Sequence, residues 1–369
     1  MDFGIGLATT LDSWQVVKRA EALGFTHAWF YDSQLLYPDV FMGMTLAARE
    51  TKSIRLGTGV LVPSNRLAPV AANCLATLNK LAPGRIDFGI GTGFTARRTM
   101  GQYGVKLVDM GRYVDQVMGL LRGETVACEL EGKAHKVRFM HIDAALINVA
   151  DPVQLHVSAM GPQARKLTAH LGGGWLNFSG DNDDAIASLS DMKLAWGNAR
   201  RPRSALYSSL FGLGCVLRKG ERLNSKRVLA QSGPYVAAML HSLLETVPPE
   251  HFRSLSPTLC TALEAYSKVY AQYAPEDARY LSVHRGHLLF VRDDEKAFIS
   301  QDLIDSLTYT AKALELTDRV DELRDAGYSQ FTIQLVHGHE DALEDWAAVL
   351  KPLGLKALTR SSARKRMAG

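Results

Sequence analysis

The segment Ser53–Thr95, SIRLGTGVLVPSNRLAPVAANCLATLNKLAPGRIDFGIGTGFT, decides how the rest of the chain is read. Ile54–Val60 is a β-branched and apolar run that closes on Gly57-Thr58-Gly59, and Ile86–Ile90 is a second that runs into Gly91-Thr92-Gly93. Between them Pro69 opens a set of helix-spaced apolar residues, Val70, Cys74, Leu75, Leu78 and Leu81, which stops at Ala82-Pro83-Gly84. Proline at a helix start and Pro-Gly just past its end is the asymmetry expected of a helix. Strand, helix and strand at this spacing make one βαβ unit, hence parallel strands and a buried sheet. Both glycine-rich ends fall at the carboxyl ends of their strands, where α/β folds bind ligands.

The same alternation extends in both directions. Strands are predicted near residues 3, 27, 54, 86, 153, 174, 206 and 330, with helices between them. Leu206–Leu217 reads as a longer strand, Val283–Val291 as an extended segment, Ser300–Leu314 as a helix, and Glu124–Asp143 as a polar excursion with short strands. Eight βα repeats point to an α/β fold, a (β/α)8 TIM barrel, as a single domain over 1–355. A mainly helical insertion at 221–300 follows the seventh strand and is expected to lie as a lid over the carboxyl face. A doubly wound open sheet is the alternative, because a strand count does not show closure.

Composition narrows the class. Of 369 residues, 47% are hydrophobic and 22% charged, ordinary for a globular chain with a large core. The formal charge of +4 comes from the end of the chain, where residues 356–369 carry Lys356, Arg360, Arg364, Lys365 and Arg366 with no acid. That segment reads as a disordered basic tail, and the body is close to neutral, so neither nucleic acid nor a membrane is an expected partner. No apolar run reaches the ~18 residues of a membrane span, and no secretory pattern opens the sequence. Cys74, Cys128, Cys215 and Cys260 are far apart, with no CxxC. Disulfides and a thiolate zinc site are not expected, and a cytoplasmic location is.

The strand ends are poor in acids and bases, with Asp32 and His337 the obvious titrating groups. Glycine, threonine, serine and asparagine predominate there, which suits a large ligand held by backbone and hydroxyl contacts while a cofactor carries the chemistry. The best phosphate site is Ser158-Ala159-Met160-Gly161-Pro162-Gln163-Ala164. There a strand ends, glycine turns, and a helix begins with free N–H groups behind its proline. An ordinary strand-to-helix turn is the competing reading. Gly91-Thr92-Gly93 is not a dinucleotide fingerprint, since the third glycine and the distal acid are missing.

The ordered set Gly24-Phe25, His27–Trp29, Tyr31–Ser33, IRLGTGV (54–60), LAPGR (81–85), IDFGIGTGF (86–94), SAMGP (158–162) and LGGGW (171–175) resembles the bacterial luciferase-like family of flavin- and deazaflavin-dependent oxidoreductases. The resemblance is greatest to its coenzyme F420-dependent, methylenetetrahydromethanopterin reductase-like branch. It implies a phosphate held near Gly161, Pro162, Gln163 and Ala164 and near Phe178 and Ser179. It also implies a ring leaning on a bulge after the third strand, a non-proline cis peptide that would be Gly59-Val60. Ser33, Thr58, Asn73, Gly91, Thr92 and Ser158 complete the candidate cofactor set.

Two positions depart from the family pattern. Ser33 follows Asp32 where some deazaflavin members carry Asp-His, and Phe94-Thr95 stand where sugar-phosphate dehydrogenases place an acid. Both argue against a sugar-phosphate substrate. Asp32, His284 and His287 are the candidate catalytic residues, the histidines reaching in from the insertion with a side chain suited to proton transfer near neutrality. Metal binding is not expected at His284-x-x-His287 or His337-x-His339, because no acid lies in register and hydride chemistry needs no ion. The implied activity is hydride transfer between coenzyme F420 and a small organic substrate, with homodimerisation expected from the family. An FMN-dependent monooxygenase of the same fold and a non-catalytic flavin-binding barrel are the alternatives.

Overall fold

The computed structural model describes residues 1–357. The basic tail expected at 356–369 therefore lies, beyond Ala357, outside the described residues. Eight parallel strands close a barrel: β1 (Asp2–Leu7), β2 (His27–Phe30), β3 (Arg55–Thr58), β4 (Ile86–Ile90), β5 (Gln154–Ser158), β6 (Gly174–Phe178), β7 (Ser208–Leu213) and β8 (Gln330–Leu335). Each pairs in parallel with its neighbour, and β8 closes on β1 through Phe3↔Phe331, Ile5↔Ile333 and Leu7↔Leu335. The barrel expected from eight repeats is what forms, and the open-sheet alternative is excluded. All of β2, β4, β7 and β8 are buried, as parallel strands covered on both faces must be.

The helix predicted between the two glycine-rich strands spans Ala68–Leu81 and carries its proline in the first turn. Ala71, Ala72, Leu75, Ala76 and Leu78 face the barrel, each removed from water, at about 25 cal/mol per Å2 of apolar surface. Inside the barrel Trp29, Leu176 and Phe211 form a plug against which Val60 and Phe178 pack. Trp29 Nε1 donates to Gln330 Oε1 at 3.1 Å, so the buried indole is paired.

Glu124–Asp143 contains an antiparallel hairpin, Val126–Leu130 with Lys133–Val137. Between β7 and β8 the helices Lys226–Thr246, Pro257–Tyr270 and Gln301–Leu307 are each capped by a serine, Ser225, Ser256 or Ser300, accepting from a first-turn N–H. They bury two small cores of their own, one around Val228, Val236 and Leu303 and another around Leu240, Phe252, Leu263 and Tyr266.

Three element boundaries differ from the sequence reading. Leu206–Leu217 breaks after Leu213, because Gly214 lies so close to the Tyr309 carbonyl that no side chain would fit. The predicted helix over Ser300–Leu314 ends at Leu307. There the Thr308 hydroxyl donates to Ile304 O, and the chain extends to pair Ala311-Lys312 with Val216-Leu217. Val283–Val291 is not extended. A short helix, Tyr280–Val283, runs into turns that use left-handed backbone at Gly286 (φ 84°) and Leu288 (φ 54°), which the alternation could not reveal.

Candidate active site at the barrel mouth

A cavity of ≈ 540 Å3 opens at the carboxyl ends of the strands. Its walls come from the ends of β2 to β6 and β8, and its roof comes from the insertion, through Tyr235, Met239, His241, Ser242, His284, His287 and Leu288. A larger cleft of ≈ 850 Å3 lies at the opposite end of the barrel, around Asp87, His27, Arg55, His156 and Tyr207. There Asp87 is committed to Arg55, at 2.6 Å, and its carboxyl is held well below the usual range: burial alone would raise it, but His156 and Arg55 outweigh that. Chemistry in (β/α)8 barrels sits at the carboxyl face, so the mouth cavity is the candidate site.

Of the residues selected from the sequence, Asp32, Ser33, Gly59, Val60, Gly91, Thr92, Ser158, Gly161, Ala164, Phe178, His284 and His287 line this cavity. The Gly59–Val60 peptide is cis, as the family resemblance implied. Glycine at 91 makes room: a Cβ there would come within 2.8 Å of Val60 Cγ2 and 3.3 Å of Ser158 Cβ.

The other selected residues do not line it. Asn73 stands exposed on the helix Ala68–Leu81, pointing away from the barrel, and the correction follows from helix phase. Thr58 is wholly buried in the barrel wall, its hydroxyl donating to Gly89 O at 2.6 Å. Pro162 and Gln163 are exposed at the start of the helix Pro162–Leu171, outside the cavity wall. The Ser179 hydroxyl is turned back on its own loop, donating to Asp181 O at 3.0 Å.

Asp32 is not a free acid or base. Arg66 Nη1 reaches its Oδ2 at 2.9 Å, and the same guanidinium bonds Asp39. Burial nevertheless pushes the Asp32 carboxyl above its ordinary value, with Arg66 opposing. His337 lies outside the cavity, exposed and paired with Glu340 at 3.2 Å.

Several lining residues were not selected. Tyr31 donates to Gln334 Oε1 at 3.1 Å, leaving Gln334 Nε2 buried without a partner in the cavity wall. His241, from the helix Lys226–Thr246, joins His284 and His287 in the roof. Nothing in the spacing links it to them; its apolar-face position at i, i+4 from Ala237 was the only available signal. Burial lowers His241 against the opposing pull of Glu295, and burial with His241 and His284 nearby lowers His287 to about 3.

The helix Pro162–Leu171 begins at Gly161 with no side-chain cap and no acid in its first turn. Its first free N–H groups therefore remain available beside the cavity, the arrangement that suits an anion.

Comparison with known proteins agrees with this architecture. The profile of the luciferase-like monooxygenase family matches residues 12–355. An F420-dependent glucose-6-phosphate dehydrogenase from Beutenbergia cavernae is 33% identical over 167 residues, 43% of this chain and 47% of that protein. A limonene 1,2-monooxygenase from Rhodococcus erythropolis is 27% identical over 187 residues, 48% of this chain and 46% of that protein. The chain thus matches about half the length of these curated relatives. The coenzyme F420 dependent tetrahydromethanopterin reductase from Methanopyrus kandleri shares the fold, with a TM-score of 0.72 at 19% identity over 96% of this chain and 99% of that one. With a profile match across nearly its whole described length and the closed barrel to go with it, the chain belongs to the luciferase-like monooxygenase family.

Proposed function

We propose that the mouth cavity binds coenzyme F420 and that the protein is an oxidoreductase exchanging a hydride between this deazaflavin and a small organic substrate held beneath the insertion. The observation that carries the reading is a glycine-walled cavity with an uncapped helix N-terminus at one edge and an unpaired buried amide donor, Gln334 Nε2, in its wall. A planar, oxygen-bearing ring with a phosphate tail matches that set of donors. Similarity to F420-dependent relatives supports the choice.

When bound, the deazaflavin supplies a two-electron hydride donor or acceptor at C5, a carbon that does not support oxygen activation. The chain's own groups do the rest. N–H groups of Gln163 and Ala164 bind the phosphate through the helix end. Gly59, Val60 and Gly91 leave a flat wall for the ring, and Gln334 Nε2 would be free to donate to it. Residues 221–300 act as the lid that excludes water and shapes the substrate pocket. His287 is neutral at pH 7, and the substrate proton is assigned to His284, whose Nε2 lies 3.3 Å from Glu245 Oε1. Phe94 and Thr95 line the cavity where an acid would be needed for a sugar phosphate, so the substrate is a different small molecule. The reading carries a homodimer and a cytoplasmic location with it; sedimentation of the purified protein tests the first.

Similarity to limonene 1,2-monooxygenase favours a second reading, reduced FMN with oxygen in the same cavity. Titration of the purified protein with each cofactor, followed by fluorescence quenching or calorimetry, separates the two. F420 should have the lower Kd, and an FMN affinity tenfold the tighter overturns the proposal.

A further inference from the structure

Three imidazoles meet in the cavity roof. His241 comes from the helix Lys226–Thr246, and His284 and His287 from the turns that follow Tyr280–Val283. One ring nitrogen from each lies within 4.8 Å of the other two. His241 Nδ1, His284 Nδ1 and His287 Nδ1 are buried without a hydrogen-bond partner. Leaving a buried polar atom unpaired is costly, so three in one cluster call for a ligand. Such clustering is not needed to close the roof, whose packing already rests on Leu240, Phe252, Leu263 and Tyr266.

We propose that His241, His284 and His287 form a three-histidine site for a divalent transition-metal ion in the roof of the cavity. A triangle of 4.8 Å edge has its centre about 2.8 Å from each corner, so rotations that move each nitrogen by roughly 0.7 Å reach the usual Zn–N distance of about 2.0–2.1 Å. The donor set is nitrogen alone, which suits zinc, cobalt, nickel or copper and not the oxygen-seeking calcium or magnesium. Burial keeps His241 and His287 in the neutral, metal-binding form.

The outer partners of a metal-bound histidine are also present. His241 Nε2 is hydrogen-bonded to Glu295, which Tyr266 and Arg292 hold in turn, and His284 Nε2 faces Glu245 Oε1 at 3.3 Å. Carboxylates behind imidazoles orient the rings and raise their basicity as ligands. Three protein ligands leave a coordination position open to the cavity, where a substrate oxygen or a water would bind. With the ion in place, a water on it, whose acidity the ion would raise, would take over the proton-donor role assigned to His284. The sequence pairs histidines only by short spacing, and His241 lies far outside that window. The site stands whichever cofactor occupies the cavity, because it is built from the roof alone.

The test uses untagged full-length protein stripped with a chelator, in a His337→Gln/His339→Gln background that removes the exposed pair near the last strand. Co2+ is titrated while visible absorption is followed, and Zn2+ binding is measured by calorimetry, both without cofactor. One equivalent of Co2+ with ligand-field bands of a nitrogen-bound four- or five-coordinate ion is expected. Zn2+ affinity should fall at least a hundredfold in His287→Gln and in His241→Gln, and about 10–100-fold in Glu245→Gln, which removes an outer partner and no ligand. Near-ultraviolet dichroism checks folding. Should His241→Gln not fold, His287→Gln and Glu245→Gln still decide the matter. Absence of the Co2+ bands, or unchanged Zn2+ affinity in His287→Gln, overturns the proposal.

Discussion

Gly161→Asp separates the fold of the mouth from its ligand. Gly161 is the N-cap of the helix Pro162–Leu171, at φ −95° and ψ 163°, a conformation open to any residue. A Cβ built there meets nothing within 4 Å, so the aspartate enters without a clash. Its carboxylate would then accept from the N–H of Gln163 or Ala164, which no side chain caps in the present chain. Against glycine such a cap is worth a few tenths of a kcal/mol, so stability should hold or rise slightly. Those same donors are the ones assigned to the cofactor phosphate. Losing one or two charge-assisted bonds at about 1.5–3 kcal/mol each, with a like charge added, weakens F420 binding at least tenfold. Gly161→Ala adds bulk without charge and should stay within about threefold of the parent chain. Thermal melting and F420 fluorescence quenching read the two quantities separately. An unchanged Kd in a folded Gly161→Asp protein would show that the phosphate lies elsewhere.

Other outcomes follow from the same geometry. His284→Gln should keep F420 affinity within about threefold while lowering the single-turnover rate by ~10²-fold or more, the scale of general acid catalysis, and full activity removes His284 from that role. Gly91→Val should block the cofactor wall, since even a Cβ there comes within 2.8 Å of Val60 Cγ2, and F420 titration should show a loss of at least tenfold in affinity with the fold retained. Glu21 controls a piece of acid stability. Burial alone would raise its carboxyl, but the N–H groups of Lys52, Ser53 and Ile54 on Oε1 outweigh that and lower it. A depressed value in the folded state stabilises above the ordinary glutamate value of about 4.3 and loses that contribution as pH falls through the folded value. Glu21→Gln should therefore cost about 1–3 kcal/mol in urea melts at pH 7, with the gap to the parent chain narrowing as pH falls below the ordinary glutamate value; a gap that widens with acid would reverse the assignment.

Residues 1–180 carried most of the barrel in the open. Parallel strands buried on both faces read as short apolar runs, and their glycine-rich ends and Pro-Gly punctuation are local features with local causes. The absence of an acid at Phe94-Thr95 and the Gly161 helix start were legible for the same reason, being set by a few adjacent residues. Asn73 was misplaced because one helix turn decides whether a side chain faces the barrel or the solvent. Closure of the sheet needed the pairing of β1 with β8, residues from opposite ends of the chain. The insertion was the least legible part. Its histidines acquire meaning only when the helix Lys226–Thr246 brings His241 over the turn that holds His284 and His287. Sequence patterns report on neighbours along the chain, since periodicity and caps act over a few residues. A site built from distant segments is decided by packing, which the burial of the insertion helices' apolar faces against one another imposes and no local pattern encodes.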